Sequence, residues 1–236
     1  MTGKPLVILQ HEAIGPPGGI ATALRHLGVP FEVRRCDLGE PLPTWPTDTS
    51  GVISLGGYMH VTQRDEFPFL AEEQDLLRQI LDDGGPVWGI CLGAQLLTLA
   101  AGGEVRRRVT PAVGWATIHT VSGDPFFEGI GRRFVAFNWR EYTCVPPSGA
   151  QHLAQGVDEV QAFRVGGMGW ATQFHPEIDE QMAPRWVHDA ASEHLVADAK
   201  AAARLRTHTT RYLPESLALC RHVVENFARA SGSLAR

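Results

Sequence analysis

Cysteine is scarce in this sequence, with four in 236 residues and no Cys-x-x-Cys pair. Cys36, Cys91, Cys144 and Cys220 lie far apart along the chain. A secreted scaffold held by disulfides needs a denser framework, whereas scattered cysteines are typical of proteins in a reducing cytosol. The sequence therefore predicts a cytoplasmic protein whose core forms without disulfide bonds.

Long runs of one residue class are also missing. The longest run of like charge is Arg106-Arg107-Arg108, and 26 acidic residues outnumber 21 basic ones. Nucleic acids and anionic membranes bind extended basic surfaces, so this balance argues against both partners. The first apolar run, residues 6–9, is shorter than the roughly 7–15 residues of a signal-peptide core and the about 20 of a membrane span. We therefore expect a soluble protein.

Two common ligand-binding motifs are absent as well. His11-Glu12 follows the first apolar run but does not begin a His-Glu-x-x-His zinc pattern. The glycines of residues 15–19 lack the Gly-x-Gly-x-x-Gly spacing of a dinucleotide site and are typical of a turn before a helix. The sequence predicts neither a metal ion nor a cofactor.

What the sequence does contain is an alternation of short strands and helical patterns. Four β-rich runs (residues 6–9, 31–33, 52–55 and 86–90) alternate with three segments of helical apolar spacing (residues 19–27, 70–81 and 92–101). This order predicts a parallel sheet with helices on both faces. Further β-rich runs between residues 113 and 174 predict a few antiparallel strands. The expected fold is α/β, a flavodoxin-like, doubly wound, mostly parallel sheet.

A single domain is expected over residues 1–236, because no repeat or linker-like stretch divides the chain. Its core is expected over about residues 5–182, followed by a helical C-terminal extension over about residues 183–236. Proline is tolerated in the first turn of a helix, so Pro214 is expected to open a final helix over residues 215–228.

The most informative motif is Gly-x-Cys-x-Gly at residues 89–93, between a buried strand and an apolar helix. The equivalent serine motif forms a sharp turn that lifts a nucleophile above the carboxyl edge of a sheet. The positive end of the helix dipole also stabilises a thiolate at this position. We therefore predict that Cys91 is a nucleophile and that the other three cysteines are packing residues.

A base for this nucleophile is expected at His175. The strand at residues 170–174 ends at this histidine, so its side chain should reach the same sheet edge as Cys91. Pro176 stops the strand, and Glu177 follows two residues after the histidine, where its carboxylate could orient the imidazole. Cys91, His175 and Glu177 therefore form a candidate catalytic triad.

Together, residues 87–95 (VWGICLGAQ) and 173–177 (QFHPE) resemble the two defining motifs of class I, or triad, glutamine amidotransferases. The sequence is most similar to free-standing members related to the amidotransferase domain of GMP synthase. Gly56-Gly57 also resembles the loop that supplies half of the family's oxyanion hole.

This resemblance implies a reaction in which Cys91 attacks the side-chain amide of glutamine and forms a γ-glutamyl thioester. The backbone N–H groups of Gly57 and Leu92 would hold the oxyanion, and His175 would transfer protons. Gln95 resembles a residue that binds the glutamine substrate. Tyr58, next to the oxyanion loop, is a further candidate substrate-binding residue.

The sequence departs from the family at residues 138–142. Relatives carry a His-x-Asp or Ser-His-Gly-Asp element there, whereas this chain reads Asn138-Trp139-Arg140-Glu141-Tyr142. Arg140 could bind a carboxylate and Glu141 an ammonium group, with Asn138 beside them. The same residues could instead select another amide or form a solvated surface pair.

Three functions remain open from the sequence. The first is a glutamine amidotransferase that passes ammonia to an acceptor on a synthase partner chain. The second is a stand-alone hydrolase of γ-glutamyl peptides or amides that uses the same triad. The third is a non-catalytic binding or regulatory module.

Overall fold

A computed structural model of the chain describes residues 3–157, 159–192 and 196–234. These residues form nine strands, namely β1 (Leu6–Gln10), β2 (Phe31–Arg35), β3 (Gly51–Ser54), β4 (Val87–Ile90), β5 (Glu104–Thr120), β6 (Arg133–Val145), β7 (Gln151–Gln155), β8 (Val160–Val165) and β9 (Gly169–Thr172). They also form five α-helices, namely α1 (Gly18–Leu27), α2 (Phe69–Asp82), α3 (Leu92–Ala100), α4 (Met182–Ser192) and α5 (Ala199–Ala230). Residues 193–195 and 235–236 of the expected C-terminal extension lie outside the described residues.

All nine strands belong to one sheet, in the order β2-β1-β3-β4-β9-β8-β7-β5-β6. The first five strands pair in parallel, and the remaining four extend the sheet through antiparallel pairs. The parallel half has the strand order of flavodoxin-like folds, so the prediction of a doubly wound α/β sheet is confirmed.

Side chains of the central strands alternate between two hydrophobic cores. Leu6 and Ile8 of β1 pack on the face covered by α1 and α5. Val7 and Leu9 pack on the opposite face, against α2 and α3. This burial on both sides explains why the parallel strands are continuous apolar runs. The carboxyl ends of these strands consequently meet at one sheet edge, where polar loops can converge.

The C-terminal helix differs from the prediction, because Pro214 lies inside α5 and does not open a new helix. An interior proline removes one helical hydrogen bond and costs about 3 kcal/mol. Packing on both sides of it offsets this cost, since Leu205 is buried in one cluster and Phe227 in the main core. The segment after residue 183 therefore helps to build the core. Among the described residues, every helix is too short or too polar to span a lipid bilayer.

Candidate active site

Cys91 lies at the turn between β4 and α3, where it precedes the first residue of the helix. Its φ angle of 49° is the only positive value at a non-glycine residue among those the structure describes. Its backbone N–H donates to the carbonyl of Thr172, 2.9 Å away, which ties the turn to the end of β9. A side chain at Gly93 would collide with the backbone of Ser54. The Gly-x-Cys-x-Gly pattern therefore folds as a strained elbow, as nucleophile motifs do.

His175 follows β9 and reaches the same edge. Its backbone N–H donates to the carbonyl of Phe137, 2.8 Å away, so β6 fixes the position of the histidine loop. The ring atom Nδ1 lies 2.7 Å from Oε1 of Glu177, and Nε2 has no hydrogen-bond partner within the described residues. The imidazole is thus oriented on one side by a carboxylate and available on the other.

The electrostatics of this pair favour a protonated imidazole. Burial lowers the pKa of His175, but the adjacent Glu177 carboxylate and the Cys91 sulfur together raise it by a larger amount. The pKa is therefore well above its usual value. By contrast, burial raises the pKa of the Cys36, Cys144 and Cys220 thiols, that of Cys144 to about 12. Those three thiols are therefore poor sources of thiolate near neutral pH.

The loop after β3 brings Gly56 and Gly57 against the elbow. A side-chain carbon at Gly56 would lie 2.7 Å from Cε1 of His175, and one at Gly57 would lie 3.0 Å from Cδ2 of Leu92. Neither the Gly57 N–H nor the Leu92 N–H donates to another group in the described part of the protein. Both N–H groups are thus available beside Cys91, as an oxyanion hole requires.

A small cavity of about 110 Å³ opens at this edge. Its lining includes Cys91, His175, Glu177, both loop glycines and Tyr58. Pockets that enclose drug-sized ligands measure roughly 300–1,000 Å³, so this cavity suits a group the size of an amino-acid side chain.

The lining of this cavity does not include the other four residues predicted to bind substrate. These are Gln95, Asn138, Arg140 and Glu141. The Arg140 guanidinium is buried and donates to the Glu159 carboxylate, to the Tyr142 carbonyl and weakly to Asn138. Glu141 is exposed and pairs with Arg107. The sequence predicted that this guanidinium could bind a substrate carboxylate. In the structure it is instead hydrogen-bonded to other groups of the protein.

The cavity also contains residues that sequence reasoning did not single out for substrate binding. Glu12 follows β1, Trp139 lies on β6 and Trp186 on α4. The Trp139 carbonyl accepts a hydrogen bond from the Cys91 thiol, 3.5 Å away. The Trp186 indole packs edge-on against His175 and donates to the carbonyl of Ile14. The sequence signal for Glu12 is its position just after the first apolar run, where the strand ends. Neither tryptophan belongs to a local motif.

Burial raises the pKa of Glu12 above its usual value, although nearby His11 and His175 lower it. A carboxylate in the cavity provides an acceptor for a cationic group on a ligand.

Behind the loop of Gly56, His11 and Glu73 form a second buried pair, and Cys36 lies next to them. The ligand atoms of these three side chains lie within 4.8 Å of one another, close enough to bind a metal ion.

Comparison with known proteins identifies the family of this chain. The family model described as glutamine amidotransferase class-I matches residues 18–190. The glutamine-hydrolyzing GMP synthase from Aeropyrum pernix is 31% identical over 177 residues, which cover 72% of this chain but only 32% of that protein. One subunit of the glutamine-hydrolyzing GMP synthase from Sulfolobus acidocaldarius is 36% identical over 132 residues, which cover 55% of this chain and 67% of that protein.

A solved structure is similar over nearly the full length. The crystal structure of a glutamine amidotransferase from Thermotoga maritima has a TM-score of 0.85 and 28% identity, and the match covers 95% of this chain and 97% of that one. The matched family region contains β4, the elbow, the histidine loop and most of α4. This chain belongs to the class I glutamine amidotransferase family.

Proposed function

We propose that this protein hydrolyses the side-chain amide of glutamine to glutamate and ammonia through a Cys91–His175–Glu177 triad. The observation that carries the proposal is the elbow at Cys91 beside an imidazole that Glu177 orients at 2.7 Å. A cysteine, a base within reach and a group that orients the base are the parts that nucleophilic acyl transfer needs.

The first half-reaction forms a thioester. The Cys91 thiolate attacks the amide carbon, and the carbonyl oxygen becomes an oxyanion held by the N–H groups of Gly57 and Leu92. The loss of one such donor typically costs about 10²–10³ in rate. Protonated His175 gives its proton to the departing nitrogen, the C–N bond breaks, and ammonia leaves a γ-glutamyl thioester on Cys91.

The second half-reaction regenerates the enzyme. His175, now neutral, accepts a proton from water as the water oxygen attacks the thioester carbon. The second oxyanion collapses, the C–S bond breaks, and glutamate leaves with the thiolate restored. Glu177 keeps the imidazole in the tautomer that both steps require.

Substrate binding is proposed to depend on the cavity wall. Glu12 would accept hydrogen bonds from the α-ammonium group of glutamine, and Tyr58, Trp139 and Trp186 would enclose its apolar carbons. We assign no direct substrate contact to the side chains of Arg140 and Glu141, since both are paired with other residues of the protein.

The ammonia is proposed to pass to an acceptor on a partner chain in the cytoplasm. Support comes from the Sulfolobus acidocaldarius relative, which is one subunit of a GMP synthase. The Aeropyrum pernix GMP synthase is about three times as long as the region that this chain matches. The four cysteines are free thiols, which fits a reducing compartment.

A second candidate is hydrolysis of γ-glutamyl peptides or other γ-glutamyl amides by the same triad. The observation in its favour is the altered segment at residues 138–142, where Arg140 is engaged by Glu159. A non-catalytic role is less well supported, because the three triad side chains lie together at one cavity.

One assay separates these functions. Ammonia and glutamate release is measured from glutamine and from a panel of γ-glutamyl peptides, for the wild type, Cys91→Ser and the control Cys220→Ala on α5. We expect turnover of glutamine that Cys91→Ser abolishes and Cys220→Ala retains. Turnover of the peptides but not of glutamine would select the second candidate. No turnover of any compound would contradict both enzymatic functions.

A further inference from the structure

A completely buried ion pair lies behind the oxyanion loop. The side chains of His11 and Glu73 are both 0% exposed, and Nε2 of His11 lies 2.8 Å from Oε2 of Glu73. The other ring nitrogen, Nδ1, lies 3.1 Å from the carbonyl oxygen of Gly56. The second carboxylate oxygen of Glu73 accepts a hydrogen bond from Ser54 at 2.5 Å. His11 therefore links α2 and β3 to the loop that follows β3.

These contacts determine the protonation of His11. The Gly56 carbonyl and the Glu73 carboxylate are both acceptors, so both ring nitrogens of His11 act as donors and the ring is an imidazolium. Burial lowers the pKa of His11, but the Glu73 carboxylate and the Gly56 carbonyl outweigh burial and raise it. A charged donor thus faces the Gly56 carbonyl.

The Gly56 carbonyl belongs to the same peptide group as the Gly57 N–H. In a trans peptide the C=O and N–H bonds point in opposite directions. A hydrogen bond from His11 to the carbonyl therefore directs the Gly57 N–H away from His11. A charged donor on the carbonyl also polarises the peptide and strengthens the N–H as a donor.

We propose that His11, held by Glu73, is a positioning residue that fixes and polarises the Gly56–Gly57 peptide so that its N–H stabilises the oxyanion. The inference rests on the proposed hydrolysis at Cys91. His11 touches no reacting atom, and it acts only through the peptide. Oxyanion donors must be aligned before the reaction, and a misplacement of about 1 Å can cost around 10²-fold in rate.

A metal ion is the competing use of this cluster, because Cys36 lies beside His11 and Glu73. Two contacts favour the hydrogen-bonded arrangement. Nε2 of His11 bonds directly to the carboxylate, and burial together with the charge of Glu73 raises the pKa of the Cys36 thiol. A thiol that stays protonated is a poor metal ligand.

The test uses a double variant that removes the link without leaving a lone buried charge, and a single variant that keeps a hydrogen-bond donor for the Gly56 carbonyl. The double variant His11→Leu/Glu73→Leu replaces the pair with apolar side chains, a change that is often neutral for stability. His11→Asn keeps an N–H donor near the position of Nδ1. For each variant we would measure kcat and KM for glutamine, the rate at which iodoacetamide alkylates Cys91, thermal unfolding, and the amide NMR resonance of Gly57.

We expect kcat of the double variant to fall about 10–100-fold, with KM nearly unchanged and partial recovery in His11→Asn. Alkylation by iodoacetamide forms no oxyanion, so its rate should stay close to that of the wild type, while the Gly57 resonance shifts. A wild-type kcat, an equal loss of turnover and alkylation, or an unmoved Gly57 resonance would overturn the inference. If the wild type hydrolyses no amide, the proposed function fails, and the Gly57 resonance alone still decides whether His11 positions the peptide. If the wild type binds a metal ion in stoichiometric amount and the double variant does not, the inference is also overturned.

Discussion

Nδ1 of His175 lies 2.7 Å from Oε1 of Glu177, and both side chains are buried at the cavity wall. This contact and the Cys91 sulfur raise the pKa of His175 despite burial. A raised pKa in the folded state stabilises the protein below the unfolded value of about 6.5, and the contribution is lost as pH rises through the folded pKa. In the proposed mechanism, the proton that the leaving ammonia needs therefore stays on His175 to a pH well above 6.5.

Glu177→Gln should lower the pKa of His175. An amide carries no charge and can stabilise the wrong tautomer, so we expect kcat to fall on the order of 10²–10⁴-fold. The alkaline limb of the kcat/KM profile should move to lower pH, because His175 loses its proton earlier. Glu180→Gln, an exposed change three residues away, is the control. An unshifted alkaline limb would argue against Glu177 as the orienting group.

Gly56→Ala should disturb the base and spare the fold. The new methyl group would lie 2.7 Å from Cε1 of His175 and 3.5 Å from Cβ of Cys91, so the imidazole and the loop cannot both keep their positions. We expect kcat to fall by about 10²-fold, as for a misplaced catalytic group. Gly123→Ala, where a methyl group meets nothing within 4 Å, should leave turnover unchanged. Equal activity of the two variants would contradict this packing argument.

Glu12→Gln tests recognition of the α-ammonium group. A hydrogen bond to a charged group contributes about 1.5–3 kcal/mol, so KM for glutamine should rise roughly 10–100-fold with a smaller change in kcat. The comparison substrate is glutaramate, which is glutamine without its amino group. The wild type should prefer glutamine strongly, and the variant should lose most of this preference. An intact preference would exclude Glu12 as the ammonium-binding residue.

Arg140→Met should destabilise the fold more than it weakens substrate binding. The change removes the buried guanidinium from Glu159, which keeps its partly exposed partner Arg108, so we expect a loss of about 1.5–3 kcal/mol, as for a hydrogen bond to a charged group. Arg107→Met removes the exposed pair with Glu141, and exposed pairs contribute about 0–1 kcal/mol. Chemical unfolding of both variants measures this difference. A large increase in KM for glutamine in Arg140→Met at full stability would restore a direct substrate role for Arg140.

Features encoded by neighbouring residues were predictable from the sequence. The parallel half of the sheet follows from continuous apolar runs, and the elbow follows from the glycines at residues 89 and 93, where an added side chain would collide with the turn or with Ser54. His175 and Glu177 lie two residues apart after a strand, so their meeting is also local.

Features that depend on distant segments were not predictable in this way. The pair of His11 and Glu73 joins residues 62 apart, and Trp186 reaches the cavity only because α4 packs across the loop after β1. For Arg140 the local sequence predicted a free guanidinium, which was wrong because its partner Glu159 is 19 residues away along the chain. Pro214 is a local signal that tertiary packing of α5 overrides.

The positive φ angle at Cys91 has a consequence for how such a protein can evolve. A non-glycine residue in this conformation costs of the order of 1–3 kcal/mol, and glycine would relax the turn. Glycine would also delete the sulfur. Under the proposed mechanism, the most stable sequence at this position and the active sequence are therefore different, and natural selection for turnover keeps the less stable one. A descendant released from catalysis could replace Cys91 first and become more stable by doing so.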